Sequence, residues 1–469
     1  MATISSPGIG SGLDIRSIVS QLIALEKQPL TAMKVQAATV EAKISSFGQT
    51  KSMVSALSDA ASTLNSLTTF NAVATTSSNT AVATATSIGG TAVNSFSVKV
   101  DSLAKAQSTA SAALLPVGGA LGAGTLRLQL GRWTVVPASF TPQVGVAPVD
   151  ITVSASDTIT DVASKINGAK AGVSATVLND ASGQRLLLRS TSTGEAAGFQ
   201  LSVLTDADGV PTDSGGLSRA VVGTTVPQYG ADAKIQVNGI PVSSATNIFN
   251  DVVSGVTVTA VAPNDASAEV TVAPDRSAVA NAISKFVTAY NAINDSLNEQ
   301  TKYDPATKAA GLLQGDPFAI GLQNALRGLL QSTTAGSAYK RLADIGITQA
   351  LGGDLMVDNT KLTAAQANGD EVKKLFKADN GNAATNGVAV KFKAFTAGLL
   401  SVSGLFSSTD ASLKRSLAAN ARDQGKLNAK ITRDEAALNQ RYSALDVQLS
   451  SLNALNAYVV QQVKQWNKA

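Results

Sequence analysis

Apolar side chains recur at helical spacing near both ends of this chain and at alternate positions between them. From Asp14 the order Ile15, Ile18, Val19, Leu22, Leu25 repeats with a helical period, and Asp14 is placed to cap that helix. Gln28-Pro29 predicts a break, since proline disfavours helical geometry in the residue before it. Beyond it Met33, Ala37, Val40, Ile44, Phe47, Val54, Leu57, Ala61, Leu64 and Leu67 continue the stripe, which predicts a long helix ending near Phe70. At the far end Leu427, Ile431, Leu438, Tyr442, Leu445, Leu449, Leu452, Val459, Val463 and Trp466 form a heptad seam, with Asp434 and Asn456 as its polar members. A doubled step of four between Leu438 and Tyr442 predicts a local unwinding of that seam. A narrow apolar stripe cannot bury itself on a lone helix, so the two ends are expected to pair with each other or with further copies. The candidate assembly residues are therefore Ile15, Ile18, Val19, Leu22 and Leu25, with Leu438, Tyr442, Leu445, Leu449, Leu452, Val459 and Val463.

Between the ends the period changes to two. From about Ala72 to Pro274 runs such as NSFSVKVDSL, AKIQVNGIPV and GVTVTAVAP alternate between turn residues and read as strands. Asn238-Gly239 between two such runs predicts a two-residue hairpin, because both positions accept positive φ. Within this block DTITD (Asp157 to Asp161) is placed to cap a short helix that Asn167-Gly168 would end, followed by the strands VSATVLN and QRLLLRS. Turn-rich stretches flank this unit, Pro116 to Gly124 and Asp206 to Gly216, so it is expected to be a domain nested in another β domain. After Pro274 the helical period returns, with Asp316-Pro317 opening one helix and a short hairpin between Gly346 and Val357.

The expected fold is thus a multidomain α+β chain. Its terminal helices form a coiled-coil leg and a helical domain, and two β-rich head domains are inserted, one nested in the other. The expected boundaries are 1–40 with 430–469 for the leg, and 41–75 with 275–429 for the helical domain and its small hairpin. Residues 76–112 with 226–274 make the outer head domain, and 113–225 the nested one.

Composition narrows the chemistry. The 469 residues include neither Cys nor His, which removes thiol nucleophiles, disulfides, Ser-His-Asp triads and nearly every zinc or haem site. The net charge of +4 arises from 37 basic and 33 acidic residues spread along the chain, with no clustered basic face of the kind nucleic acid requires. No run of about 18 apolar residues predicts a membrane span. The opening MATISSPGIGSG has neither the basic nor the apolar region of a secretory signal. GIGSG (Gly8 to Gly12) lacks the preceding strand and third glycine of a dinucleotide loop, and reads as a flexible lead into the helix at Asp14. DADG (Asp206 to Gly209) lacks the glycine and glutamate of a calcium loop and reads as a turn. Asp434-Glu435 are adjacent on a helix and do not face each other. The basic residues of the last helix, Lys414 to Arg441, are interleaved with acids and read as a solvated face. Neither an enzyme nor a cofactor is expected.

With these elements in place, SSPGIGSGLDIRSIVSQLIALEKQPL resembles the N-terminus of the flagellar filament cap family, also called hook-associated protein 2. The resemblance continues through VKVDSLAKAQS, DTITDVASKINGAKAGVSATV, KIQVNGIPV, FVTAYNAINDSLNEQTKYD, GLLQGDPF, LADIGIT, GDLMVDNTKL and QLSSLNALNAYVVQQ, in order. It implies a homo-oligomeric plate, a pentamer or hexamer, at the distal filament tip, where exported flagellin folds and inserts. It also implies secretion by the flagellar route without cleavage. The implied partners are other copies of the chain, flagellin, the hook–filament junction proteins and an export chaperone, with no nucleic acid and no membrane insertion. The alternatives are a tip adhesin that binds mucin or a host surface through its β head, and another filament or junction protein of the flagellum.

Overall fold

The computed structural model describes residues 14–467, so the GIGSG lead lies outside the described residues. The helices in chain order are α1 (Ile15–Glu26), α2 (Gln28–Leu64), α3 (Leu67–Phe70), α4 (Ile159–Ala169), α5 (Arg276–Thr301), α6 (Pro317–Gln331), α7 (Asn359–Ala365), α8 (Gly369–Lys377), α9 (Val388–Leu400) and α10 (Leu405–Trp466). Two units result. One comprises the chain up to Phe70 and again from Ser277, and the other is Asn71–Arg276.

The helical unit is built from both ends of the chain around one large core. Phe286 of α5 meets Phe392 of α9 edge to face, ring centroids 5.0 Å apart at 89°, and Tyr290 adds a second edge contact to Phe392. Phe318 of α6 stands between Phe47 of α2 and Phe406 of α10, at 5.0 Å and 4.9 Å, so one aromatic row ties three helices together. Local signals act as expected at several ends. The Asp14 carboxylate accepts from the Ser17 amide, and Asp316 accepts from the amides of Phe318 and Ala319 with Pro317 in the first turn.

Two boundaries differ from the sequence reading. The break between α1 and α2 falls at Lys27, and Pro29 sits inside the first turn of α2, where a missing N–H costs nothing. The long helix stops at Leu64, not near Phe70. The Asn65 amide closes onto the carbonyls of Ala61, Ser62 and Thr63, and α3 follows as a separate turn.

One helical stretch, Val388–Trp466, is by length and composition apolar enough to cross a membrane. It is α9 and α10 joined by a turn at 401–404, and Val388, Ala389 and Phe392 of α9 are buried in the helical core, which accounts for their apolar character.

The second unit is antiparallel throughout. Its outer part has a five-stranded sheet in the order Val73–Ser77, Ala268–Pro274, Asn94–Ser102, Ala233–Val237, Ile240–Ser244, and a three-stranded sheet of Ile248–Val253, Val256–Ala260 and Ala83–Ser87. The period-two runs deliver what they promised. Phe96, Val98 and Val100 point into this core with Val256, Val258 and Ala260, while their sequence neighbours point away. Asn238 and Gly239 turn the hairpin with φ of 49° and 81°.

The nested part has its own core. Strand Gly124–Val135 pairs with Gly198–Asp206 on one side and with Val149–Val153 and then Ala138–Pro142 on the other. The second sheet runs Thr225–Gln228, Ser108–Ala110, Gly183–Ser190, Val173–Asp180. Helix α4 contributes Ile159, Val162, Ala163 and Ile166 to this core. It is opened by a reciprocal capping box between Thr158 and Asp161. It does not end at Asn167-Gly168. Asn167 spends its side-chain amide on both backbone groups of Ala175, each at 2.8 Å, and the left-handed residue that stops the helix is Lys170.

Candidate assembly surfaces

Helix α10 runs for 62 residues, and its seam changes character along that length. At its base Phe406 is buried in the helical core, and Leu413 packs against that core. Farther along, the seam turns polar. The Asn420 amide donates to the Met33 carbonyl (3.1 Å) and to the Gln36 side chain (3.2 Å), and Gln424 donates back to Asn420 at 2.6 Å. A cavity of about 200 Å³ between Met33, Gln36 and Val40 of α2 and Ser416, Ala419 and Asp423 of α10 marks the same stretch. Polar groups and poor packing at seam positions lower the strength of a helical pair while keeping its partner choice.

Beyond that stretch a second, small cluster joins α1 to α10. Val19, Ile23 and Ile431 are buried there, with Leu427, Leu438 and Tyr442 packed against them. An ion-pair group sits beside it: the Lys430 ammonium lies 2.9 Å from Glu26 and 2.9 Å from Asp434. The hydrogen bonds to Glu26 and then Asp434 hold the Lys430 ammonium above its ordinary pKa. All three groups face solvent, so the network orients α1 more than it stabilises it.

The candidate residues separate into two sets. Val19 is buried against α10, and Leu438 and Tyr442 lie against the same cluster, while Ile18 is half-buried. Leu22 and Leu25 face outward, Leu25 with 61% of its surface exposed. Ile15 opens α1, and its side chain lies outside the described residues. On α10, Leu445, Leu452, Val459 and Val463 are exposed and Leu449 is half-buried, and the exposed apolar run continues through Val460 to Trp466. Ile23, outside the apolar stripe read from the sequence, is the second anchor of α1. Its signal was the helical step of four from Val19.

Asp206, Asp208 and Asp213 each serve local turns or caps. Asp206 accepts from the Ser218 amide and hydroxyl, Asp208 from the Val210 amide, and Asp213 from the Gly215 amide. Among the described residues no group of three or more acidic side chains is placed to hold a metal ion.

Three sequence families match the chain: flagellar hook-associated protein 2 N-terminus over residues 11–107, flagellar hook-associated protein 2 C-terminus over 230–454, and the flagellin hook IN motif over 139–192. The chain is 30% identical to flagellar hook-associated protein 2 of Escherichia coli strain K12, covering 98% of each chain. It is 32% identical to the B-type flagellar hook-associated protein 2 of Pseudomonas aeruginosa over 83% of this chain and 84% of that one. Among solved structures, it is similar to the D1-D2-D3 domains of the flagellar cap protein from Escherichia coli, with a TM-score of 0.58 and 27% identity. That match covers 79% of this chain and 99% of the other.

Proposed function

Because the chain belongs to the flagellar hook-associated protein 2 family, we propose that it serves as a filament cap, an oligomer at the distal tip that promotes folding and insertion of exported flagellin. The observation that carries this reading is similarity along almost the whole chain to a hook-associated protein 2, with 98% of both chains aligned. The legs are the terminal segments, 1–40 and 430–469, and the β-rich unit is the head. Five or six copies form the plate, delivered by the flagellar export route with its chaperone and seated after the junction proteins.

The legs grip through residues that α1 and α10 leave open. Val19 and Ile23 hold α1 to α10 within one chain, whereas Leu22 and Leu25 on one helix and Leu445, Leu452, Val459 and Val463 on the other offer apolar surface to the filament or to further copies. Thin stripes with polar interruptions bind weakly enough to release, which a cap that advances after each inserted subunit requires.

Complementation of a strain lacking this chain tests both levels. The null strain should secrete monomeric flagellin and make no filaments, and the parent chain should restore them; normal filaments without it would sink the cap assignment. Leu25→Asp should leave the purified protein as stable as its parent, since the side chain is already in water, yet fail to restore swimming. Full motility with Leu25→Asp would remove the outer stripe from the grip.

A further inference from the structure

The nested head domain is joined to the outer one by two chain passages that form a narrow neck, around Lys105 and around Ala231. The Lys105 amide donates to the Ala231 carbonyl at 2.8 Å, and the Ala231 amide donates to the Lys105 carbonyl at 3.0 Å. A two-stranded neck of this kind is by itself a hinge. A loop of the nested domain, 193–195, reaches across it. The Thr193 hydroxyl donates to the Ala245 carbonyl at 2.7 Å, the Gly194 amide to the Lys105 carbonyl at 3.1 Å, and the Glu195 amide to the Asp232 carboxylate at 2.7 Å. Two of these acceptors, Asp232 and Ala245, lie on the outer-domain side of the neck.

Glycines make the approach possible. Gly194 has φ of +105°, and a Cβ there would lie 2.8 Å from the Ala245 Cβ and 3.0 Å from its carbonyl oxygen. A Cβ on Gly230, in the neck, would lie 2.5 Å from the Gly194 carbonyl oxygen. Both positions therefore exclude any larger residue while the loop is docked. Around the same neck Trp133 of the nested domain stands 6.0 Å from Tyr229, ring to ring.

From this we infer that the 193–195 loop is a latch that closes the neck hinge and makes the two head domains move as one body. The inference concerns the head alone and does not depend on the cap assignment. A head closed in this way has no internal joint. Opening the latch requires the loss of two polar contacts to the outer domain and of the glycine packing together, so it is a two-state element in place of a soft linker.

The absence of cysteine gives a clean probe, because a pair of cysteines introduced into the full-length chain carries the only labels. Ser214→Cys in the nested domain and Ser267→Cys in the outer one are both at exposed positions. Spin labels at this pair should give a single narrow distance population. Adding Gly194→Val should broaden that population or split it in two. Should that variant fail to fold, Thr193→Ala with Asp232→Ala removes both side chains of the latch without adding atoms, and the same broadening is expected with an unchanged circular dichroism spectrum. A broad population in the parent, or a population that stays narrow in the folded variants, would overturn the latch.

Discussion

Replacing Phe406 by alanine separates the roles of the helical core and of the long helix that leaves it. Phe406 is 3% exposed and lies 4.9 Å from Phe318 at an interplanar angle of 65°, and Phe318 in turn meets Phe47 at 5.0 Å. Truncating a buried phenylalanine costs about 3–5 kcal/mol in transfer and cavity energy. The helices on each side are held by many other core residues and close poorly on the void, so a loss of about 4 kcal/mol is expected. With a urea slope of about 2 kcal/mol per molar, the transition of the helical unit should move down by about 2 M. Two probes distinguish the units. Far-UV circular dichroism at helical wavelengths follows the helical unit, and Trp133 fluorescence, with Trp466 replaced by Phe, follows the nested β domain. Only the first should shift. A double-mutant cycle with Phe318→Ala should return a coupling of about 1 kcal/mol, the value of an edge-to-face pair beyond its buried area. A loss below about 1 kcal/mol, or an equal shift in both probes, would refute the claim that the aromatic row anchors α10 to a separately stable core.

Two further outcomes follow from local chemistry. In the nested domain the carboxyls of Asp150, Asp157, Asp161 and Asp180 are held below their ordinary pKa by hydrogen bonds from Arg127, Lys165, Thr158 and Arg185 respectively. Burial pushes the Asp206 carboxyl up, but its hydrogen bonds, chiefly from Ser218, outweigh burial and leave it lowered as well. The unfolded chain then binds more protons than the folded one just below the ordinary carboxylate value, about 3.9. The stabilisation is complete above that value and is lost as pH falls through the folded values, so the urea midpoint read by Trp133 should drop on acidification below about pH 4. A midpoint that stays flat down to about pH 2 would contradict this. In the outer domain Asn238→Ala removes a side chain that accepts from the Ser97 amide at 2.8 Å and places alanine at a φ of 49°, so a loss of about 1–2 kcal/mol is expected in denaturant titration. Stability equal to the parent would show that the turn is held by its neighbours and not by Asn238.

The sequence by itself determined the elements whose cause is local. Asp14 and Asp316 cap their helices because a short carboxylate reaches the free amides of the first turn, whatever lies around them. Asn238-Gly239 turns because both residues tolerate positive φ, and alternation in NSFSVKVDS fixes which face is inside because strand side chains alternate. The helix–β–helix order and the nested domain were legible for the same reason, from changes of period between turn-rich stretches. Lack of Cys and His likewise removes thiol nucleophiles, disulfides and Ser-His-Asp triads from the sequence alone.

Tertiary structure decided everything that depends on which partner a residue meets. The period of α1 marks Val19 and Leu22 equally as apolar, yet α10 covers Val19 and Ile23 and leaves Leu22 and Leu25 exposed, because a single neighbouring helix shades a narrow arc. Helix α4 runs past Asn167, whose side chain bonds both backbone groups of Ala175, and stops where Lys170 takes the left-handed conformation. The same holds for the latch: Gly194 and Gly230 are ordinary turn glycines in sequence, and only the fold brings them within a methyl group's width of each other's backbone or of Ala245. Such contacts join residues far apart in the chain, so no local propensity encodes them.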